Sequence, residues 1–250
     1  MKVRLISKTE NPVETMFVAA RTCYSSESPS YRMEDLLKDK LQDENYHEPW
    51  ILAKKVLESG HTSIAEHVNM TFTIEGISRA CSHQLVRHRH CTFSQQSQRY
   101  VEIKEDVDQL RYLWCSRQTD KLIQLLDKYF VGVNETNFIP YFDVLCNYLL
   151  AIKNGTKPEE ARNFLPNATK TNLVMTCNLR ELMHICELRL CTRAQDEIRV
   201  MCKLIVEQVE KEYGKDIASL LVPKCERLGF CTEHKCCGRK PSVKTIKEGK

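Results

Sequence analysis

The interpretation of this chain starts from one stretch, Gln84-Leu-Val-Arg-His-Arg-His-Cys-Thr-Phe-Ser-Gln-Gln-Ser-Gln-Arg-Tyr100. It combines three arginines and two histidines with seven serine, threonine and glutamine residues. A guanidinium binds a phosphate or a pyrimidine edge through a planar pair of N–H donors, so the stretch indicates a pocket for an anionic, hydrogen-bonding small ligand. A solvated basic turn is the weaker alternative, because the stretch contains no Gly, Pro, Asp or Asn.

Composition and charge are those of an ordinary globular protein. The 250 residues include 42% hydrophobic and 28% charged side chains. The net charge of +4 comes from residues 239–250, which carry five basic side chains and one acidic side chain. A nucleic-acid-binding protein usually carries its positive excess on the folded body. The charge distribution therefore argues against a nucleic-acid partner.

A nucleic-acid-binding module is the alternative interpretation of the same stretch. Arg87, Arg89 and Arg99 would then bind phosphates, while Phe93 and Tyr100 would stack on bases.

The expected location is a reducing cytoplasm. No apolar run approaches the roughly 20 residues that span a bilayer, so no membrane segment is predicted. Most of the thirteen cysteines occur singly within apolar helical patterns, and the sequence shows no charged-then-apolar leader. The thiols are therefore expected to act as small hydrophobic side chains.

Hydrophobic periodicity predicts an α+β fold, mostly helical around a small antiparallel sheet. We expect a single domain over residues 1–222 and a flexible, Cys-rich, basic C-terminal tail over residues 223–250. Strands are predicted at 3–7, 68–74 and 172–177, and helices at 12–22, 32–41, 49–58, 139–152, 179–190 and 194–213, with most of 102–170 helical.

Side chains, and not a glycine-rich loop, are expected to hold any phosphate. The eight glycines are too dispersed for a G-x-G-x-x-G or Walker pattern. Ser78 is predicted to cap a helix that ends after Gln84, which leaves Arg87–Arg89 at or beyond the helix end. A second polar group, formed by His61, Ser63, Glu66 and His67, lacks the H-E-x-x-H spacing of zinc proteins and fits a loop that docks a cofactor.

A third polar group lies on the helix predicted at 179–190. Arg180 and His184 share one face, whereas Arg189 lies about 180° away around the helix. The two arginines could pair with Glu181 and Glu187 on a wet surface. The residues between them are largely apolar, however, so we expect a buried helix whose arginines find partners in two sites or in two subunits.

These segments resemble the flavin-dependent thymidylate synthase family. The family hallmark is R-H-R, seven residues and then serine, and it is complete here as Arg87-His-Arg89 followed by Ser97. The run Gly60-His-Thr-Ser-Ile-Ala-Glu-His67 and the block from Asn178 to Arg189 are also similar to family motifs. The resemblance is strong over 60–100 and 160–200.

The resemblance implies reductive methylation of dUMP to dTMP. The implied carbon donor is 5,10-methylenetetrahydrofolate, the implied hydride donor is reduced FAD, and NADPH would regenerate the reduced flavin. It also implies a homotetramer whose active sites are shared between subunits, and a catalytic domain over residues 1–222.

Carried over position by position, the resemblance also implies the site residues. Arg189 is expected to be catalytic, because a fixed cation at the uracil edge favours its electron-rich form. Gln95 departs from the family pattern, since some members carry glutamate there. The residues expected to bind dUMP are Gln84, Leu85, Val86, Arg87, Gln95, Gln96, Ser97, Gln98, Arg99, Arg162 and Arg189. The residues expected to bind FAD are His61, Ser63, Glu66, Arg87, His88, Arg89, Gln95, Asn178, Arg180 and His184.

No covalent enzyme nucleophile is expected. Ser97 has no sequence-adjacent histidine to deprotonate it, and the resemblance implies a substrate-positioning hydroxyl. Cys91 falls at a position that the family leaves variable, although neighbouring cations could lower its pKa.

The cysteine-rich tail raises the question of a structural zinc. Cys225, Cys231, Cys236, Cys237 and His234 fall within a short segment. Their spacings miss the usual C-x2-4-C pattern, so no metal site is predicted and a thiol-rich tail is the favoured interpretation.

Overall fold

The structure, a computed structural model, describes residues 1–42 and 46–248. Its strands are β1 (Lys2–Lys8), β2 (Asn69–Ser78), β3 (Thr92–Gln95) and β4 (Lys170–Asn178). Its helices are α1 (Pro12–Thr22), α2 (Pro29–Gln42), α3 (Glu48–Glu58), α4 (Arg79–Leu85), α5 (Val107–Cys115), α6 (Thr119–Tyr129), α7 (Phe138–Lys153), α8 (Pro158–Ala161), α9 (Leu179–Arg189), α10 (Asp196–Ala218), α11 (Lys224–Leu228) and α12 (Val243–Glu248). Two 3₁₀ helices cover Thr62–His67 and Arg162–Phe164.

The four strands form one antiparallel sheet in the order β1-β2-β4-β3. In β2, Met70, Phe72 and Ile74 are buried while the residues between them are more accessible. Strand β4 shows the same alternation. This period of two residues is the pattern from which strands were predicted, and the α+β fold class is confirmed.

The chain divides into two compact units, and each unit is built from separate segments of sequence. The first unit contains Met1, Ile74–Arg87 and Phe93–Val174. The second contains Lys2–Thr73, His88–Thr92 and Met175–Lys250. The predicted tail thus belongs to the second unit, while the proposed boundary between residues 222 and 223 stays a prediction.

The core of the first unit is built by α5, α6 and α7. Leu110, Leu126 and Leu145 have no exposed surface, and Phe130 joins them. These side chains recur at helical spacing, so each helix buries one stripe and leaves its polar face in solvent. The helical character expected of residues 102–170 is confirmed.

In the second unit, α1 packs on α3 and α10 packs on β1. Pro12 begins α1 as predicted, because proline suits the first turn of a helix. Gly214, with φ of 81°, interrupts the helical geometry of α10. The predicted helix end at Tyr213 therefore falls at this kink, and helical structure resumes through Ala218.

The segment after Pro223 carries two short helices and one bridge. Gly229 ends α11 in the left-handed region, with φ of 78°. A parallel bridge joins Cys231 to Ser242 before α12 begins. All thirteen cysteines are free thiols. Across 1–42 and 46–248, no helix is long and apolar enough to cross a membrane.

Candidate active site

In the first unit, α4 leads directly to the arginines of the opening stretch. Ser78 caps the helix, accepting a hydrogen bond from the backbone N–H of Cys81 at 3.0 Å. This cap confirms the prediction from sequence. The helix ends at Leu85, whose side chain is fully buried, and Arg87 follows as an exposed side chain. Leu85 can therefore serve a ligand through its backbone alone.

Gln95 lies between two hydroxyl groups of the first unit. Its side-chain nitrogen donates to Ser82 Oγ at 2.9 Å and to Thr171 Oγ1 at 3.2 Å. A glutamate here would meet the same two hydroxyls, which can rotate to donate instead of accept. The departure from the family pattern at Gln95 is therefore compatible with its surroundings.

Gln96, the next residue, is hydrogen-bonded to strand β4. Gln96 N–H donates to the carbonyl of Asn172 at 2.9 Å, and the Asn172 side chain donates to Gln96 Oε1 at 3.2 Å. Gln96, Ser97 and Gln98 all line a cavity of about 260 Å³. These three residues of the opening stretch therefore face one pocket of the first unit.

Arg79 is a positively charged residue that the sequence interpretation missed. Its guanidinium donates to the carbonyl of Gln96 at 3.4 Å. Burial and, next, the cation of Arg162 lower the pKa of Arg79. Two neighbouring guanidinium groups together form a positive charge that attracts an anion. The predicted substrate residue Arg162 thus has a second arginine close by, and the first turn of α4 could have pointed to it.

Two more predicted substrate residues of the first unit, Arg99 and Arg162, both contact Glu159. Arg99 pairs with Glu159 at 3.4 Å, and its backbone N–H donates to Ser97 Oγ at 3.2 Å. Arg162 donates from Nε to the carbonyl of Glu159 at 3.1 Å. Glu159 therefore organises two of the arginines that were expected to bind a nucleotide.

In the second unit, His88 is the buried centre of a polar network. Its side chain is 5% exposed. Its Nε2 accepts a hydrogen bond from Nε of Arg189 at 3.2 Å, and its Nδ1 lies 3.5 Å from Oε1 of Glu181. The ring also meets His184 edge to face, with centroids 5.8 Å apart.

The surroundings of His88 keep its imidazole neutral. Burial first, then the cation of Arg189 and then His184 lower the pKa of His88 to about 4. Near neutral pH the ring therefore has one protonated nitrogen. Because Arg189 donates to Nε2, the proton must reside on Nδ1, which faces the carboxylate of Glu181.

The predicted cofactor residues of the second unit are largely exposed. His61, Ser63 and Glu66 belong to or precede the 3₁₀ helix at Thr62–His67 and reach solvent. Glu66 forms an ion pair with Arg180, which is also exposed. Arg89 is an exposed side chain as well.

A large open cavity runs beside these residues in the second unit. It measures about 980 Å³, and its walls include Gly60, Thr62, Arg180 and His184. Arg227 of α11 also lines it. A cavity of this size fits a large ligand. Its walls carry the carboxylates of Glu58, Glu187 and Glu226 as well as cationic side chains.

Helix α9 matches part of the prediction and corrects the rest. Its apolar residues are buried as expected except Leu188, which is exposed. Asn178 caps its start by accepting from the backbone N–H of Glu181 at 2.9 Å. The expectation that both arginines are buried is wrong for Arg180. This residue lies at the start of α9, directly after β4, and its side chain is exposed. Arg189 is half-buried.

The partners found for Arg180, Glu181 and Glu187 lie outside the helix. Arg180 pairs with Glu66, while Glu187 pairs with Arg227 of the tail. Glu181 contacts His88. These partners come from distant segments, so helical spacing could not identify them.

The tail lies against the end of α9. A cavity of about 250 Å³ is lined by Arg189, Cys225, Cys231 and Cys237, among others. Within the described residues, no group of three or more His, Cys, Asp or Glu side chains is placed to hold a metal ion. Three tail thiols thus line the same cavity as the predicted catalytic arginine.

Comparisons with known proteins identify the class to which this fold and site belong. The family model described as "Thymidylate synthase complementing protein" matches residues 4–213. A flavin-dependent thymidylate synthase of Pyrococcus abyssi is 38% identical over 237 residues, covering 93% of this chain and 90% of that protein. One from Geobacter sulfurreducens is 35% identical, covering 98% and 97%.

Solved structures give the same fold. A Helicobacter pylori thymidylate synthase X, crystallised with FAD and dUMP, has a TM-score of 0.71 at 23% identity and covers 88% of this chain and 99% of its own. A UMP/dUMP methylase from Streptomyces cacaoi, bound with 5-Br dUMP, has a TM-score of 0.64 at 21% identity, covering 88% and 93%. The chain belongs to the flavin-dependent thymidylate synthase family.

Proposed function

We propose that this protein converts dUMP to dTMP by reductive methylation, with 5,10-methylenetetrahydrofolate as the carbon donor. In this proposal reduced FAD supplies the hydride and NADPH regenerates it. The observation that carries the proposal is the guanidinium of Arg189, which is held through its Nε by a neutral, buried histidine. That arrangement fixes a planar cation for recognition of an electron-rich ring.

The substrate residues are those of the opening stretch together with distant arginines. The pocket beside Gln96, Ser97 and Gln98 offers hydroxyl and amide groups for a nucleotide. Arg79 is added to the predicted set because its lowered pKa reflects a neighbouring cation as well as burial. The proposed dUMP-binding residues are Gln84, Leu85, Val86, Arg87, Gln95, Gln96, Ser97, Gln98, Arg99, Arg162 and Arg189, with Arg79 in support.

The residues of the second unit fit an FAD molecule. The cavity of about 980 Å³ is large enough for a dinucleotide, and Arg180 can meet a pyrophosphate if its pairing with Glu66 is exchanged. His184 offers a ring nitrogen at the same cavity. The proposed FAD-binding residues are His61, Ser63, Glu66, Arg87, His88, Arg89, Gln95, Asn178, Arg180 and His184.

The protein residues bind and orient the reactants, and the cofactor supplies the hydride chemistry. Arg189 places a fixed positive charge at the pyrimidine edge, where it stabilises negative charge that develops as the ring attacks the one-carbon unit. His88 stays neutral and so adds no second positive charge beside Arg189.

No side chain is proposed as a covalent nucleophile. In the described part of the chain, Ser97 Oγ is hydrogen-bonded by the backbone N–H of Arg99 and has no histidine partner. Cys91 is hydrogen-bonded to Cys177, and that bond together with burial raises the pKa of Cys177 well above its usual value. Neither of these contacts supplies a base that would activate Ser97 or Cys91.

A homotetramer in the cytoplasm, with active sites shared between subunits, completes the proposal. Support comes from the exposure of Arg180 and His184 on α9, which leaves the polar groups of this helix accessible to another subunit.

The direct test combines product formation with a spectrum. Purified protein supplied with dUMP, methylenetetrahydrofolate and NADPH should form dTMP, and it should show the absorbance of bound flavin. Omission of NADPH or of the folate should each stop turnover. A colourless protein that binds oligonucleotides and makes no dTMP would instead support the nucleic-acid-binding alternative.

A further inference from the structure

The side chain of Glu181 faces inward from the first turn of α9. It is a buried carboxylate, 8% exposed, and its Oε1 lies 3.5 Å from Nδ1 of His88. Asn178 caps the same turn by accepting from the backbone N–H of Glu181. The partial positive charge at a helix N-terminus favours a carboxylate at this position, which offsets part of the cost of burial.

Three buried or half-buried groups are thus arranged in series. Glu181 contacts one nitrogen of His88, and the other nitrogen accepts from Nε of Arg189. An imidazole can accept at Nε2 only if its proton is on Nδ1. A carboxylate facing Nδ1 stabilises that tautomer and holds the ring plane, as partners of ligand histidines do in metal sites.

We propose that Glu181 is a positioning residue for the reaction, acting through His88 to fix the orientation of the Arg189 guanidinium. This inference rests on the proposed function, in which Arg189 contacts the substrate. Without the carboxylate, the His88 ring can turn or carry its proton on Nε2. Nε2–H would then oppose the Nε–H of Arg189, and the guanidinium would have to leave its position.

The test compares two substitutions of buried glutamates. Glu181→Gln keeps the size of the side chain and removes its charge. Glu14→Gln is the matched control, because Glu14 is 3% exposed and pairs with Lys40 at 2.8 Å on helices outside the proposed site. Both variants are measured for bound flavin, thermal stability, dUMP affinity and turnover.

We expect Glu181→Gln to lower kcat about 10-fold to 100-fold, the usual effect of removing a group that orients a histidine. Flavin content should stay at the wild-type level, and the Kd for dUMP should change less than kcat. Glu14→Gln should keep wild-type kcat even if its thermal stability falls.

A spectroscopic measurement reports the tautomer directly. In ¹⁵N NMR of the imidazoles, assigned with His88→Gln, the wild type should show His88 protonated at Nδ1 and unprotonated at Nε2. Glu181→Gln should increase the population with protonated Nε2. A merely structural role of Glu181 would lower stability without this change.

Three results would overturn the proposal. One is a kcat for Glu181→Gln within twofold of wild type, another is an unchanged His88 tautomer, and the third is loss of flavin together with activity. Absence of dTMP formation by the wild type would refute the proposed function instead. In that case the tautomer measurement would still decide whether Glu181 positions His88 and Arg189.

Discussion

At the scale of single residues, Arg189 shows how a side chain gains its role from its neighbours. Its sequence context, a helix end among apolar residues, predicts a buried arginine but does not identify its partner. The structure adds the hydrogen bond from its Nε to His88 and the buried carboxylate behind that histidine. Arg189 therefore supplies a planar pair of N–H donors in a fixed orientation as well as a positive charge.

Replacement of Arg189 by lysine should separate the fork from the charge. We expect Arg189→Lys to lose about 100-fold or more in turnover, the scale seen when one preorganised donor is removed, while bound flavin is kept. Arg32→Lys is the control and should be active. Arg32 lies on α2, outside the proposed site, and pairs with Glu27. If the lysine variant is purified without flavin, Arg189 belongs to the cofactor site.

The pKa of His88 predicts a loss of stability in acid. Because its folded-state pKa of about 4 is below the ordinary value of 6.5, the unfolded chain binds more protons between these pH values. The free energy of unfolding should therefore fall as the pH drops from about 6.5 towards 4, by up to about 3 kcal/mol from this residue. Urea titrations across this range should show a flatter pH dependence for His88→Gln than for wild type, and equal slopes would contradict the assignment.

At the scale of elements, the tail packs against α9. The ion pairs Arg227–Glu187 and Arg193–Glu233 connect the tail to α9 and to the segment that follows it. Cysteines of the tail line the same cavity as Arg189. The tail lies beyond the region matched by the family model, yet its side chains lie near the predicted catalytic arginine.

Deletion of residues 225–250 tests this arrangement. We expect the truncated protein to keep its fold and to lose activity, because the cavity around Arg189 loses one wall. Turnover and circular dichroism are the measurements. Full wild-type turnover of the truncated protein would show that the tail is dispensable to the site. Elemental analysis of the intact protein for zinc decides whether the tail thiols bind a metal.

At the scale of the complete chain, the two units contain residues that are expected to bind different ligands. Most residues expected to bind dUMP lie in the first unit, and most residues expected to bind FAD lie in the second. Each unit draws on segments that are far apart in sequence. The R-H-R motif itself contributes Arg87 to the first unit and His88 and Arg89 to the second.

The assembled protein should be yellow and tetrameric. Gel filtration with light scattering should give a mass near four times 29.1 kDa, since accessible groups on α9 are proposed to complete the site of another subunit. A flavin-free monomer that still formed dTMP would contradict both the shared site and the cofactor assignment.

Most of the secondary-structure elements and the family could be predicted from local sequence patterns, although strand β3 was not predicted. Strand alternation in β2 and β4, the cap at Ser78 and the proline that begins α1 depend on neighbours within a few residues, so they could be predicted. The spacing of the R-H-R motif to Ser97 is likewise a local property, and it was sufficient to indicate the family.

The hydrogen bonds and ion pairs between distant polar residues could be identified only from the tertiary structure. His88 and Arg189 are 101 residues apart in sequence, and Gln95 and Thr171 are 76 apart. The same holds for the pairing of Arg180 with Glu66, which helix periodicity would have assigned to a neighbour on α9. A hydrogen bond requires two atoms at about 3 Å, and periodicity along the chain carries no information about such long-range distances. The neutral state of His88 has the same origin, because burial and the nearby cation exist only in the folded chain.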